Sequence, residues 1–356
     1  MQSEPSGYSI EPGQYEQVNK LVTTEFTVEE GYIEYGTPTF FVAPGQDIKR
    51  AFLRVYSQLD SIGLIPVLRK RDGRTVLQIL PKPPVKPNRP WINVALLIAT
   101  VVTTLITGYA LSAETGNPWV GAVMFSVALL SILGAHEMGH KLTADRHGVD
   151  ATFPYFVPGV PPFMPTFGAV IQQKSLPPNR DSLFDLGMSG PLIGFLVTVV
   201  VTIIGVRLSS FVFHVPGASV ALPTPLLFDL ISLLFQPSGA GPVLLMHPVA
   251  YAGYIGMIVT MLNLIPVGQL DGGHIAFVLF DGRARSVLGF LALFLMLFVS
   301  WPMAFIALLI SRVGHPGPLD DVSDLSSGRK VFALVLVLIF VLSVVPVFSI
   351  LDLFRF

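Results

Sequence analysis

The chain has 356 residues, of which 52% are hydrophobic and only 13% charged, and its formal net charge is −1. A soluble domain carries about 25% charged residues, so the composition argues against a soluble enzyme and for an integral membrane protein. The near-zero charge offers no basic character for nucleic acid, and the absence of cysteine excludes disulfides and any cysteine-ligated metal. No signal peptide is expected, because the first apolar span begins only at Trp91.

Residues 1–90 read as a small soluble α+β domain. YIEYGTPTFFVAP alternates like strand material, DIKRAFLRVYSQLDSIGL has the periodicity of an amphipathic helix, and PVLRKRDGRTVLQIL reads as a hairpin turning at Asp72-Gly73. The basic run Arg69 to Arg74 has three readings: an orientation signal, a solvated hairpin face, or a contact with anionic lipid. The domain ends in PKPPVKPNRP, whose prolines stiffen a short linker.

From 91 to 356 the chain reads as a membrane domain. A helix needs about 20 apolar residues to cross a bilayer, and six segments qualify: 92–112, 119–143, 184–207, 247–267, 284–310 and 331–353. Trp91 and Trp119 sit at segment edges, as interfacial aromatics do. TPLLFDLISLLF (224–235) is too short to span and holds Asp229, so it reads as an interfacial helix. ATFPYFVPGVPPFMPTFGAVIQQK (151–174) has five prolines and cannot be a regular helix, although its aromatics favour a place against the membrane. The expected fold is therefore an all-α polytopic membrane protein of about six transmembrane helices, with the small α+β domain at its N-terminus.

Basic residues alternate between loops. Lys82, Lys86 and Arg89 precede the first span, SAETGNP after it has none, Lys141, Arg146, Lys174 and Arg180 follow the second, and Arg283 and Arg285 follow the fourth. The positive-inside rule then makes residues 1–90 and these loops cytoplasmic. Loop 311–330 fits less well, since it carries Arg312, Arg329 and Lys330 together with Asp320, Asp321 and Asp324.

The chemistry concentrates in AHEMGHKL (135–142), at the inner end of the second span. His136 and His140 are four apart, so on a helix they share one face and can hold one zinc ion. Glu137 projects beside the open position, where it can accept a proton from water. In NLIPVGQLDGGH (263–274), Pro266 and the glycines at 268, 272 and 273 break the fourth span and leave Asp271 on irregular backbone. Irregular backbone at membrane depth is tolerated where it is buried in protein or lines a wet cavity. Spans two and four both descend to the cytoplasmic side, which puts Asp271 at the depth of the histidines, as a third ligand. The plainer reading of LDGG is a turn that caps the span.

HEMGH together with NLIPVGQLDGG resembles the site-2 protease family of intramembrane zinc metalloproteases, peptidase M50, over residues 90–356; SGPLIGF (189–195) is similar to that family's core. The soluble N-terminal domain, with no room for a PDZ insert at 208–246, resembles the plastid and archaeal-like branch. The resemblance implies His136, His140 and Asp271 as ligands of one zinc ion per chain, Glu137 as general base, and Asn263 as a polar group facing the substrate backbone. It also implies single-pass membrane proteins as substrates, cut within their spans to release a regulatory fragment. Residues 168–172, among them Gly168, Ala169, Val170 and Ile171, read as an edge strand to which an unwound substrate adds; the plainer reading is a structural hairpin on the membrane surface. Two rivals are a membrane zinc protease for prenylated or misfolded proteins, and a zinc transporter. LDGG argues against the first, and the clustering of ionisable groups at one end of two spans argues against the second.

Of the remaining histidines, His247 is expected near the opposite face, and His147 and His274 as loop or secondary groups. His214 and His315 are expected as loop residues without partners. Gly190 and Gly194 make a small-xxx-small pair for close helix packing.

Overall fold

The computed structural model describes residues 12–345, apart from 86, 114–116, 214–222, 240, 242, 300–304, 306–307 and 309–314. His214 and parts of the segments expected as fifth and sixth spans lie outside the described residues.

The first elements are α1 (Pro12–Glu25), β1 (Val28–Glu34), β2 (Thr37–Val42), α2 (Ile48–Asp60), β3 (Leu64–Arg71) and β4 (Arg74–Pro81). The strands form an antiparallel sheet in the order β1-β2-β4-β3. The stretch read as one run of strand material is a hairpin of its own. Both hairpins turn through two residues of positive φ, Tyr35-Gly36 and Asp72-Gly73, the backbone that two-residue turns require. Helix α1 has a weakly polar sequence and was not anticipated; Val18 and Val22 anchor it to a core of Phe40, Phe52, Leu59, Leu68 and Leu77. The basic run lies on the hairpin face, where two of its four cations are paired. Arg71 pairs with Glu34 at 3.2 Å and Arg74 with Glu29 at 3.0 Å.

Among the described residues, three helices are long and apolar enough to cross a membrane: α3 (Pro90–Ser112), α4 (Pro118–Arg146) and α5 (Arg180–Leu208). Asn117 caps α4 and an Asn179–Ser182 capping box starts α5. The others are shorter: α6 (Leu226–Phe235), α7 (Pro248–Asn263), α8 (Asp271–Leu279), α9 (Gly282–Val299) and α10 (Ser327–Ser343). The fourth expected span, 247–267, is thus the sixteen residues of α7 and the start of a non-helical break, beyond which α8 begins at Asp271. Helix α7 lies close against α5, where a Cβ on Gly253 or Gly256 would come within 2.3 or 2.7 Å of the Thr202 or Thr198 hydroxyl. His247 caps the far end of α7, accepting from the Val249 amide. Helix α6 is flanked by β7 (Ser210–Val212) and β8 (Val243–Leu245), which pair, and its Asp229 accepts from the Thr224 hydroxyl.

The proline-rich stretch after α4 folds as a hairpin, β5 (Tyr155–Val160) and β6 (Met164–Val170). It runs along α3. Asn93 donates to the carbonyls of Phe153 and Pro154, and Thr103 donates to that of Pro165. Ten helical residues separate these anchors, about 15 Å, half of a hydrocarbon core of about 30 Å. Its tip is apolar and exposed, with Phe163 90% accessible, so it suits a lipid environment.

A segment from far down the chain joins the N-terminal sheet to α5. Leu319 accepts from the Leu68 amide, and the Asp321 amide donates to Leu68. On its other side Leu319 and Asp320 donate to the carbonyls of Pro177 and Pro178. Lys49 of α2 meets Asp181 at 2.7 Å, while Arg329 bridges Asp181 at 2.9 Å and Asp185 at 2.6 Å. Arg329→Met removes the cation shared by two largely buried carboxylates, leaving Asp181 to Lys49 and Asp185 to His147, and is expected to cost on the order of 2 kcal/mol. Thermal unfolding in detergent should show the loss, with the exposed neighbour Lys330→Met unchanged.

Candidate metal centre and active-site cleft

His136, Glu137 and His140 occupy the buried face of α4, at 4%, 6% and 8% exposure. Asp271 is the first residue of α8. It arrives there because Leu264–Leu270 leaves helical conformation, with Gly268 at φ 56°. The two glycines after it are required by crowding. A Cβ on Gly272 would lie 2.2 Å from the Leu264 carbonyl oxygen, and one on Gly273 would lie 2.3 Å from that of Gly268. LDGG is therefore more than a cap, since it folds α8 back onto the broken end of α7.

The donors converge. Asp271 Oδ2 lies 3.2 Å from His136 Nε2, Oδ1 lies 3.3 Å from His140 Nε2, and the two Nε2 atoms are 3.1 Å apart. His140 Nδ1 donates to the Leu186 carbonyl at 2.8 Å, so in the neutral ring Nε2 carries a lone pair. That lone pair faces a carboxylate that also only accepts, an arrangement that calls for a cation between them. Tetrahedral ligands at about 2.0–2.1 Å from a metal stand about 3.3–3.4 Å apart, close to the spacing found. These residues fit one small divalent ion. Ordinary structural carboxylate–histidine pairs need no such triangle.

Glu137 Oε2 accepts the Ile171 amide at 2.7 Å, and its Oε1 lies 4.0 Å from His136 Nε2. Asn263 Nδ2 sits 3.2 Å from His136 Nε2. A cleft of about 670 Å³ opens onto this group, and Ala169, Val170 and Ile171 line it together with Asn263. The expected strand 168–172 is shifted. Regular pairing ends at Val170, Gly168 sits at φ 102°, and Gly168 is not among the cleft-lining residues.

Three features escaped the sequence reading. Gly190 and Gly194 do pack closely, but against the side chains of His140 and His136 rather than a neighbouring helix backbone. A Cβ on Gly190 would fall 2.0 Å from His140 Nε2, one on Gly194 3.0 Å from His136 Cβ, and one on Gly187 2.9 Å from the Asp271 carbonyl oxygen. The i, i+3, i+7 spacing of these glycines was the available signal. His315, expected without a partner, bonds His274 at 2.6 Å beside the cleft. His147 pairs with Asp185 at 2.9 Å and ties α4 to α5.

A buried two-histidine, one-carboxylate site beside a glutamate defines the class of metal-dependent hydrolases with HExxH on a helix. Residues 124–300 match the model of peptidase family M50, and the chain belongs to that family. It is 29% identical over 283 residues to a protein of Oryza sativa subsp. japonica described as probable zinc metalloprotease EGY1, chloroplastic, covering 72% of this chain and 48% of that one. The corresponding protein of Arabidopsis thaliana is 30% identical over 249 residues, 65% of this chain and 44% of that protein. A probable zinc metallopeptidase EGY3, chloroplastic, of Arabidopsis thaliana is 28% identical over 290 residues, 72% and 49%. The chain spans about half the length of these relatives. No solved structure matches.

Gly190→Ala is expected to weaken metal binding about 10–100-fold, as loss of a group that orients a ligand does. Gly134→Ala, whose Cβ would meet nothing closer than 3.8 Å, should retain it. Metal content of the two purified variants is the measurement.

Proposed function

We propose that the chain is an intramembrane zinc endopeptidase that cuts membrane-anchored substrates within or near their transmembrane segments, releasing a regulatory fragment. The observation that carries this is the triangle of His136, His140 and Asp271 with Glu137 beside it on a membrane-type helix. His136, His140 and Asp271 hold the zinc. Bound there, zinc supplies a Lewis acid that acidifies water and polarises a carbonyl.

The residues of the chain carry the rest. Glu137 takes a proton from the attacking water as the oxygen–carbon bond forms, then delivers it to the leaving amine as the carbon–nitrogen bond breaks. The Ile171 amide on Oε2 holds that carboxylate in place, with Oε1 turned toward the histidines. Asn263 donates to substrate backbone. The architecture consistent with this is a soluble domain over residues 1–90 and a six-span domain over 91–356. The former and the active-site end are cytoplasmic, in keeping with the distribution of basic loops.

A helical substrate shields its own peptide bonds, so it has to unwind and find backbone partners, since each unsatisfied amide at membrane depth costs several kcal/mol. The edge of β6 supplies them. Backbone groups of successive strand residues face alternate sides, so Ala169 presents its amide to the same edge as Ile171, toward Glu137. The substrate strand adds there, with Gly168, Ala169, Val170 and Ile171 as its backbone platform.

Glu137→Gln should keep the zinc and abolish hydrolysis of a single-span substrate, whereas Asp271→Ala should lose zinc. Near-normal turnover by Glu137→Gln would sink the general-base assignment. Ala169→Pro removes one edge donor while leaving the β5 ladder intact, and should lower cleavage at least tenfold with zinc content unchanged. Full cleavage by that variant would remove β6 from substrate binding.

A further inference from the structure

His274 lines the cleft alongside His136, Glu137 and Asn263, outside the triangle of His136, His140 and Asp271. It stands three residues after Asp271 on α8, and so shares a helix face with that ligand. We propose that His274 is a catalytic hydrogen-bond donor whose Nε2–H binds the scissile carbonyl oxygen as negative charge develops there, and that His315 is the positioning residue that fixes this tautomer. The proposal rests on the peptidase reading given above.

A chain of hydrogen bonds determines where the protons are. The Gly317 amide donates to His315 Nδ1 at 3.0 Å, so that nitrogen carries a lone pair. Burial, reinforced by His274 and Arg285, pushes the His315 imidazole down to about 3, and the ring is neutral at pH 7. Its single proton is therefore on Nε2. That atom lies 2.6 Å from His274 Nδ1, which has to accept. Neutral His274 is left with its proton on Nε2, the nitrogen that turns away from His315. A histidine's tautomer follows from the bond its other nitrogen makes.

The relay is built, not incidental. His315 stacks on Phe277 with centroids 4.4 Å apart, and the Arg285 guanidinium lies 4.3 Å from the same ring. Gly317 holds φ 71°, and a Cβ there would fall 2.9 Å from Phe277 Cζ. Only glycine both makes that turn and lets its amide reach His315. Four residues later Asp321 bonds to Leu68 of the N-terminal sheet, so the segment carrying His315 is fixed at both ends.

Amide hydrolysis moves charge onto the carbonyl oxygen, and a donor fixed in advance acts where that charge appears. Removing one such donor costs about 10²–10³ in kcat. Four variants, His274→Phe, His274→Gln, His315→Ala and Glu137→Gln, would be compared with the parent on a single-span peptide bearing a fluorophore and quencher. Zinc content would be measured in each. His274→Phe should lower kcat about 100-fold with KM and zinc content unchanged, and His274→Gln, which keeps an amide donor, should recover at least tenfold of that. A 15N-histidine NMR spectrum of the zinc-loaded parent should show His274 unprotonated at Nδ1 and protonated at Nε2, and His315→Ala should mix its tautomers. Unchanged kcat in His274→Phe, or a proton on Nδ1 in the parent, overturns the proposal. No cleavage by the zinc-loaded parent, or cleavage that persists undiminished in Glu137→Gln and so belongs to a contaminant, fails the peptidase reading instead, and the tautomer measurement stands apart from it.

Discussion

The whole site depends on how closely α5 approaches α4 and α8. Helices usually pack about 8–10 Å apart, with side chains filling the gap. Here Gly187, Gly190 and Gly194 leave no side chain on one stripe of α5, and the rings of His136 and His140 and the start of α8 rest against its backbone. The same stretch lends the Leu186 carbonyl that sets the His140 tautomer. Two acceptors held 3.3 Å apart repel each other unless a cation joins them. The packing that creates the site therefore also stores an electrostatic demand for a shared cation, and a methyl group at Gly190 would disturb both.

The β5–β6 hairpin meets a different constraint at the same depth. Backbone outside a helix has to find partners in a membrane, and neighbouring side chains supply several of them. Asn93 and Thr103 of α3 satisfy carbonyls on the β5 side and near the tip, Thr152 takes the Gln172 amide, and Glu137 takes the Ile171 amide. The last bond couples the hairpin to the chemistry, because the carboxylate beside the histidines also ends the strand. An irregular, proline-rich segment is thus kept in register by the polar groups of the two helices it crosses.

Much of this could be read from the sequence, and what could not has a common cause. His136, Glu137 and His140 were legible because a helix repeats every few residues, so spacing alone places them together. Asp271 was legible because Pro266 and three glycines announce a break at a known depth. Helix α1 was missed because its residues are polar and its burial depends on two valines, with no strong periodicity. The Glu34–Thr37 turn was missed because Tyr35-Gly36 reads as strand material, although Tyr35 adopts φ 50°. Apolar length could not locate the end of the fourth span, because α7 stops at Asn263 while the apolar run continues through the break that follows it. His315 and Gly317 could not be found from sequence. Their partners lie about forty residues upstream on α8, and no local pattern links the two.

The segment Leu319–Asp321 shows why such long-range pairings matter to the chemistry. Leu319 belongs to the core of the N-terminal domain, packed with Leu68 and Phe52, while its amide bonds to Pro177 just before α5. Asp320 is fully buried and accepts the amides of Val322 and Ser323, which turns the chain toward Ser326 and α10. Withdrawing the N-terminal domain would expose Leu319 and leave the Leu68 and Asp321 backbone groups without partners. Lys49 would also leave Asp181, at the N-terminus of the helix that bears the glycine stripe. The N-terminal sheet, with α2 packed on it, is therefore bonded to two of the elements that frame the cleft, α5 and the segment carrying His315. Its position and that of α5 are one constraint, imposed by residues about 250 apart in the chain.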